Sequence, residues 1–123
     1  MSLKKIKIGI LGGSFDPAHK GHLAISKKAK KILKLKNIIW AITKQNPFKK
    51  KSKLSLKDRI KFAKKLVGKN TFIKVRFYEK KINSNRTLNL IKYLSKNKKF
   101  KIFLIMGADN LINFHKWYKW KSI

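Results

Sequence analysis

Residues 5–35 read KIKIGILGGSFDPAHKGHLAISKKAKKILKL, and this stretch decides the fold. Its first part, residues 5–11, is an apolar run of the length of a buried strand. Residues 12–20 hold two glycines and a proline, which predicts a loop. From residue 21 to about residue 35 the apolar side chains approximate helical spacing. The stretch therefore predicts a strand, a glycine-bearing turn and a helix in direct succession.

The same alternation continues along the chain. Further strands are predicted over residues 38–43, 71–77 and 100–106, and further helices over residues 55–67 and 87–95. Ser55 is expected to cap the first of these helices, with Asp58 three residues on as an approximate capping box, and Gly68 to end it. Segments 44–53 and 79–86 are predicted loops, and Gly107 is expected to open a last loop and helix. This pattern predicts an α/β fold: a Rossmann-like parallel sheet with helices on both faces, in one domain over residues 1–123.

Composition narrows the class of protein. The chain has 123 residues, 43% of them hydrophobic, which suffices for one buried core and argues against a disordered chain. It has no cysteine, so disulfides, thiolate metal sites and cysteine nucleophiles are excluded. No apolar run approaches the roughly 18 residues of a membrane span, and the N-terminus does not resemble a signal peptide. We therefore expect a cytoplasmic protein without a membrane partner.

The net charge is unusual: 34 basic residues stand against four acidic ones, a formal charge of +30. Such a balance suits a polyanionic partner such as nucleic acid. However, only Arg59, Arg76 and Arg86 are arginines, and lysine grips phosphates and base edges less specifically than the arginine fork does. The lysines are also spread along the chain beside abundant Ile and Asn. We interpret the excess mainly as a compositional bias, with selected polyanion binding as the alternative.

The string GGSFDPAHKGH, residues 12–22, carries the strongest chemical signal. Two glycines after a strand let the backbone turn and approach a ligand closely. The helix that follows would point its N–H groups and positive dipole end into the same crevice, as in phosphate sites. The string is neither a P-loop nor the dinucleotide fingerprint. Ligands of parallel sheets sit beyond the carboxyl ends of the strands, which places the site in segments 12–22, 44–53 and 107–117.

This string resembles the nucleotidyltransferase superfamily, whose mark is a T/H-x-G-H turn after the first strand, here HKGH at 19–22. Its longer form, G-G-[ST]-F-D-P-x-H-x-G-H, is similar to that of the bacterial nicotinate mononucleotide adenylyltransferases. Four later segments match that family as well: QNPFK at 45–49, RIKFA at 59–63, SNRTL at 84–88, and MGADNL at 106–111 followed by FHKWYKW at 114–120. Pantetheine-phosphate adenylyltransferases and cytidylyltransferases share the turn but usually differ around it.

The resemblance implies a reaction and a set of site residues. The 5′-phosphate of nicotinate mononucleotide would attack the α-phosphorus of ATP in line, giving deamido-NAD and pyrophosphate. The residues implied for ATP, with the two histidines as the catalytic pair, are Gly12, Gly13, Ser14, Phe15, His19, His22, Gly107 and Asp109. Those implied for the mononucleotide are Asn46, Lys49, Ser84, Trp117 and Tyr118. Mg²⁺ would arrive with ATP, and no metal site on the protein is expected.

Within that implied site, Trp117 would stack on the nicotinate ring, while the backbone amides of Ser84 and Tyr118 would receive the ring carboxylate. Other notable residues have simpler interpretations. Asp16, beside Pro17, is interpreted as a turn former, and Trp120 as a core residue.

The chain departs from the family pattern at its C-terminal end. The family continues with another core strand, helices and an I-S-[SA]-T-x-I-R motif at the ATP phosphates, whereas this sequence stops at Lys121-Ser122-Ile123. The sequence is therefore expected to be either a fragment or the product of a truncated gene, and in this 123-residue form we expect ATP binding with greatly reduced catalysis. Three alternatives remain: transfer to another phosphorylated acceptor, an inactive remnant that only binds nucleotide, and a basic nucleic-acid-binding module.

Overall fold

The computed structural model describes residues 5–45, 51–107 and 114–123. Within these residues, four strands and four helices alternate, except that two helices follow one another before the last strand. The strands are β1 (Ile6–Gly13), β2 (Asn37–Ile42), β3 (Ile73–Arg76) and β4 (Phe100–Ile105). The helices are α1 (Lys20–Leu33), α2 (Leu56–Val67), α3 (Glu79–Ile82) and α4 (Thr87–Leu94). Two short 3-10 turns follow, Phe114–Lys116 and Trp120–Ser122.

The four strands form one parallel sheet in the order β3-β2-β1-β4. Gly13, the last residue of β1, lies opposite Ile42, the last residue of β2. Leu11 lies opposite Ile105, the last residue of β4. The chain order reverses between β1 and β4, and ligand crevices of open parallel sheets form at such a switch point. The predicted parallel α/β fold is confirmed.

Helices cover both faces of the sheet, as the apolar strands require. On one face, α1 and α2 pack over a core centred on Trp40, which is fully buried. On the other face, α4 packs over the smaller cluster that contains Ile8, Ile10 and Leu94. Gly9 sits in the middle of β1, where a Cβ would lie 2.8 Å from Leu35 Cδ1 and 2.9 Å from Ile105 Cδ1. The centre of the sheet is therefore closely packed.

Several element boundaries differ from the sequence-based expectation. β1 runs through Gly13, so both glycines that were predicted to begin the loop end the strand instead. Residues 79–86, predicted as a loop, begin with the short helix α3. Ser55 caps α2 as predicted: its side chain accepts a hydrogen bond from the Asp58 N–H, and Gly68 ends the helix.

Candidate active site

A cleft of about 340 Å³ lies at the carboxyl ends of β1, β2 and β4. Its walls combine strand ends with the segment before α4 and the final turns. The lining residues include Gly12, Gly13, Thr43, Tyr78, Glu79, Ser84, Asn85, Arg86, Thr87, Trp117 and Tyr118. Five of the predicted site residues thus come together in one cleft: Gly12, Gly13, Ser84, Trp117 and Tyr118. They derive from three separate segments of the sequence, so the fold is what brings them together.

Gly12 and Gly13 form a strand end with open space on its ligand side. A Cβ on Gly12 would meet only the Ala41 carbonyl oxygen within 4 Å, at 3.9 Å, and a Cβ on Gly13 would make ordinary contact with the Phe15 ring at 3.6 Å. The turn is made by Phe15, which adopts a left-handed φ of 50°. The expectation that these glycines make the turn is therefore wrong. Since the fold does not demand glycine at position 12, its small size is available for close approach of a ligand.

The two histidines of the turn form the N-terminal cap of α1. His19 Nδ1 accepts from the Gly21 N–H at 3.0 Å, and His22 Nδ1 accepts from the His19 N–H at 3.0 Å. In each neutral ring the proton then lies on Nε2, which makes that atom a donor. Gly21 is required because a Cβ there would lie 2.7 Å from the His19 ring. The H-x-G-H spacing thus produces a capping box, in which His19 is the N-cap residue and His22 takes the place of the usual glutamate or glutamine at N3.

This cap changes one expectation about the phosphate crevice. The N–H of Gly21 donates to the His19 ring and the N–H of His22 donates to the His19 carbonyl. These two N–H groups are therefore hydrogen-bonded within the turn, whereas the sequence analysis predicted that they point at an anion. The positive end of the α1 dipole remains, together with two imidazole donors. The structure thus favours the histidine rings as the hydrogen-bond donors at this position.

An aromatic column joins the histidines to the core. The ring centroids of His19 and His22 are 4.1 Å apart, those of His22 and Phe15 4.5 Å, and those of Phe15 and Trp40 5.1 Å. The Trp40 indole N–H donates to the hydroxyl of Ser26 at 2.9 Å, and that hydroxyl donates to the His22 carbonyl. Phe15, predicted to bind ATP, is buried, so its side chain supports the His22 ring from below.

The opposite wall of the cleft holds Arg86, which sequence reasoning did not select, beside Ser84 and Tyr118, which it did. The Arg86 guanidinium stacks over the Tyr118 ring with 4.0 Å between the guanidinium carbon and the ring centroid. Ser84 Oγ accepts from the Arg86 N–H and from Asn89 Nδ2. The Ser84 N–H, predicted to receive a ligand carboxylate, donates to the Glu79 carbonyl at 3.1 Å. The rarity of arginine in this lysine-rich chain was the signal that would have singled out Arg86.

Two titratable groups near the cleft have shifted pKa values. The N–H groups of Lys53 and Leu54 donate to the Asp16 carboxylate and hold its pKa below the usual range, with a smaller contribution from Arg59. Burial raises the pKa of the Tyr78 phenol. At neutral pH the site therefore presents an ionised Asp16 and a protonated Tyr78 hydroxyl. Asp16 is more than a turn former, since its carboxylate joins the turn to the start of α2.

The remaining predicted residues have more limited descriptions. Gly107 follows β4 after one residue, Met106, and a Cβ built there would meet none of the atoms considered within 4 Å. Asn46, Lys49, Asp109 and the side chain of Trp120 lie outside the described residues. Within residues 5–45, 51–107 and 114–123, no group of three or more His, Asp or Glu could hold a metal ion. No helix in the same ranges is long and apolar enough to cross a membrane.

Comparisons with known proteins agree with this geometry. The model of the cytidylyltransferase-like family matches residues 10–123. The chain is 76% identical to a "Probable nicotinate-nucleotide adenylyltransferase" of Pelagibacter ubique, over the whole chain and 68% of that protein. It is 42% identical to a protein of the same name from Agrobacterium fabrum, over 94% of this chain and 63% of that one. The chain thus spans about two thirds of the length of these relatives.

Solved structures show the same fold. The nicotinic acid mononucleotide adenylyltransferase of Plasmodium falciparum, complexed with NaAD, superimposes with a TM-score of 0.78 at 17% identity. The match covers 95% of this chain and 59% of that chain. The four-stranded sheet and its helices are therefore a fold that this more distant protein also uses.

Proposed function

The chain belongs to the nicotinate-nucleotide adenylyltransferases of the cytidylyltransferase-like family, and from this we propose that it transfers AMP from ATP to nicotinate mononucleotide. The observation that carries the proposal is the cleft at the switch point of the sheet, which Gly12, Gly13 and Trp117 line. The His19–His22 cap is not part of this lining but adjoins it through Phe15, whose ring contacts His22 and lies beside Gly13. A phosphate monoester is already a nucleophile, so the site needs to position two polyanions and to stabilise charge that develops toward pyrophosphate.

In this proposal, one wall of the cleft binds ATP and the opposite wall binds nicotinate mononucleotide. Gly12 and Gly13 let the triphosphate approach the end of β1, and Ser14, His19 and His22 lie on the turn that follows. Each imidazole offers an Nε2 donor to oxygens whose negative charge grows in the transition state. On the other wall, Trp117 is half-buried and offers a flat face for the nicotinate ring. Asn46, Lys49, Gly107 and Asp109 keep their proposed contacts with the two nucleotides.

Mg²⁺ enters this proposal as part of the ATP substrate. The described residues around the cleft contribute one carboxylate, Glu79, and it is already hydrogen-bonded to Thr43 and Lys44. This donor set fits a hydrated ion carried by the phosphates rather than one held by the protein. When bound, the ion would neutralise negative charge on the phosphate oxygens.

The identity of the substrate that receives AMP is proposed from the residues of the opposite wall of the cleft. Arg86 stacked on Tyr118 places a cation beside Trp117, which suits an acceptor that combines a flat ring with a carboxylate. A phosphorylated acceptor without a ring would make no use of this arrangement. A cytoplasmic location, where ATP is available, belongs to the same proposal.

The direct test is pyrophosphate release by the purified chain with ATP, Mg²⁺ and nicotinate mononucleotide. Phosphopantetheine replaces the mononucleotide in the control reaction. We expect release only with the mononucleotide, and deamido-NAD as the second product. Release with phosphopantetheine instead, or no nucleotide binding by calorimetry, would contradict the proposal.

A further inference from the structure

We propose that Arg59, Asp16 and Glu79 are positioning residues that hold two backbone stretches, Thr43–Lys44 and Lys53–Leu54, in fixed places beside the turn at Ser14. This inference rests on the proposed function, because the cleft that these stretches border is the proposed nucleotide site. None of the three residues is assigned a contact with a nucleotide.

Arg59 is the centre of this arrangement. The residue is 2% exposed, and its guanidinium donates to four backbone carbonyl groups. The acceptors are Ser14 O and Thr43 O, both from Nη1 at 2.8 and 2.7 Å, Lys44 O from Nη2 at 2.8 Å, and Leu54 O from Nε at 3.2 Å. A planar fork with five N–H donors can reach four carbonyls in three separate segments, whereas a lysine ammonium has only three donors.

The two carboxylates complete the arrangement by taking the backbone donors. Glu79 accepts from Thr43 Oγ1 and from the Lys44 N–H at 3.0 Å. Asp16 accepts from the Lys53 N–H at 2.6 Å and from the Leu54 N–H at 2.9 Å. The chain has only four acidic residues, and two of them bind backbone N–H groups at these two stretches. Such charge-assisted bonds are stronger than neutral ones.

The stretch at the end of β2 is consequently held on both sides. Arg59 reaches its carbonyls from α2 on one face of the sheet, and Glu79 reaches its donors from α3, which begins after β3. The Thr43 N–H donates to the Gly13 carbonyl at 2.9 Å, which ties the same stretch to the end of β1. The predicted substrate residues Asn46 and Lys49 follow in sequence before Lys53. Because the two stretches are already fixed, nucleotide binding does not have to order them first. Such preorganisation allows the reacting groups to be oriented accurately.

The experiment uses Asp16→Asn and Glu79→Gln, which keep the side-chain size but remove the charge, and Arg59→Lys, which keeps the charge but removes the guanidinium fork. Asp58→Asn and Arg76→Lys are the matched controls, because both residues are exposed and neither side chain bonds to these stretches. Amide hydrogen exchange reports the backbone directly. We expect exchange at Lys53 and Leu54 to rise about tenfold in Asp16→Asn, and exchange at Lys44 to rise similarly in Glu79→Gln. The controls leave these amides unchanged.

Kinetics separate positioning from simple stabilisation. A displacement of about 1 Å at reacting groups can lower rates about 100-fold, so we expect kcat/KM for the mononucleotide to fall about 10- to 100-fold in the three variants and not in the controls. Arg59→Lys keeps the charge and loses the fork, so near-normal kinetics in that variant would contradict its role. Should Arg59→Lys fail to fold, the two carboxylate variants decide.

The outcomes distinguish the two proposals. Faster exchange at the named amides together with reduced kcat/KM supports the positioning roles. Unchanged exchange, or faster exchange with normal kinetics, overturns them while the proposed function stands. An unmodified chain that neither binds nor converts the nucleotides overturns the proposed function, and the positioning roles with it.

Discussion

His22 has a structural role and a proposed catalytic one: its Nδ1 accepts the capping hydrogen bond of α1, and its Nε2 is proposed to donate to the phosphates. We expect His22→Ala to lower kcat about 100- to 1,000-fold, since one positioned donor to a developing anion is worth about 2.7–4 kcal/mol in comparable sites. Turnover and urea unfolding are measured together. His115→Ala, at an exposed histidine, is the matched control. Equal turnover in the two variants would contradict the proposed role of His22.

Trp117 is expected to act on one substrate only. Trp117→Ala removes a half-buried indole face from the cleft. Stacking of a base on an aromatic side chain is worth roughly 1–3 kcal/mol, so KM for nicotinate mononucleotide should rise about 5- to 150-fold while KM for ATP changes little. Trp117→Phe should retain part of the effect because it keeps an aromatic face. If both KM values rose equally, Trp117 would be acting as a packing residue.

Asp16 makes the stability of the chain depend on pH. Its carboxylate has a lowered pKa in the folded state, mainly because the Lys53 and Leu54 N–H groups donate to it. A lowered folded-state pKa stabilises the fold at pH values above the unfolded pKa of 3.8, and this contribution disappears as the pH falls through the folded value. We therefore expect Asp16→Asn to be less stable than the unmodified chain at neutral pH, with the difference vanishing in acid.

Urea unfolding at a series of pH values measures this difference. Asp58→Asn, which also removes one negative charge, corrects for the change in net charge. A difference between Asp16→Asn and the unmodified chain that persisted unchanged at the lowest pH would show that the charge of Asp16 is not what stabilises the turn.

At the scale of elements, glycine is needed at Gly9 of β1 for core packing, whereas at Gly12 we propose that it is needed for ligand binding. A Cβ at Gly9 would meet three core side chains within 3.3 Å, whereas a Cβ at Gly12 would meet only one backbone oxygen at 3.9 Å. We expect Gly9→Ala to destabilise the fold by about 1–3 kcal/mol, the range for overpacked cores, and to leave ATP affinity of the folded protein unchanged. Gly12→Ala should do the reverse: normal unfolding with weaker ATP binding. Loss of stability in Gly12→Ala would contradict this division.

Element boundaries also show what the sequence could and could not predict. The strands and main helices were predictable because apolar periodicity and the Ser55 and Gly68 caps are local signals. The extension of β1 through Gly13 was not, since it depends on pairing with β2, and the left-handed turn at Phe15 depends on stacking against Trp40. The short helix α3 was missed because four residues carry little periodicity.

The same distinction applies to the site. The resemblance supplied Gly12, Gly13, Ser84, Trp117 and Tyr118, which the fold does bring into one cleft. It did not supply the roles of Arg59 and Glu79, because their bonds are to backbone atoms of segments distant in sequence. Composition nevertheless contained a hint: where lysine is the default cation and carboxylates are scarce, each arginine and each acidic residue stands out. Two of the three arginines and two of the four acidic residues line the cleft or hold its borders.

At the scale of the whole molecule, the charge of +30 works against the compact state, because like charges repel at low ionic strength. Helix α1 shows this clearly: Lys27 has Lys30 and Lys31 three and four positions later, and Lys27 and Lys31 are both exposed. Like charges at these spacings destabilise a helix by about 0.2–0.5 kcal/mol per pair, and a glutamate placed before a lysine stabilises it by a similar amount. With two pairs affected, we expect Lys27→Glu to raise the free energy of unfolding by about 0.8–2 kcal/mol, and Lys27→Gln to give about half of that gain.

Salt provides the decisive control for this last prediction. At about 0.01 M ionic strength the screening length is about 30 Å, and at 1 M it is about 3 Å, shorter than the distance between these side chains. The gain in Lys27→Glu should therefore be largest in dilute buffer and nearly disappear in concentrated salt, while the unmodified chain becomes more stable as salt is added. A gain that did not depend on salt would have to come from helix propensity instead, and the +30 charge would then not limit the stability of this fold.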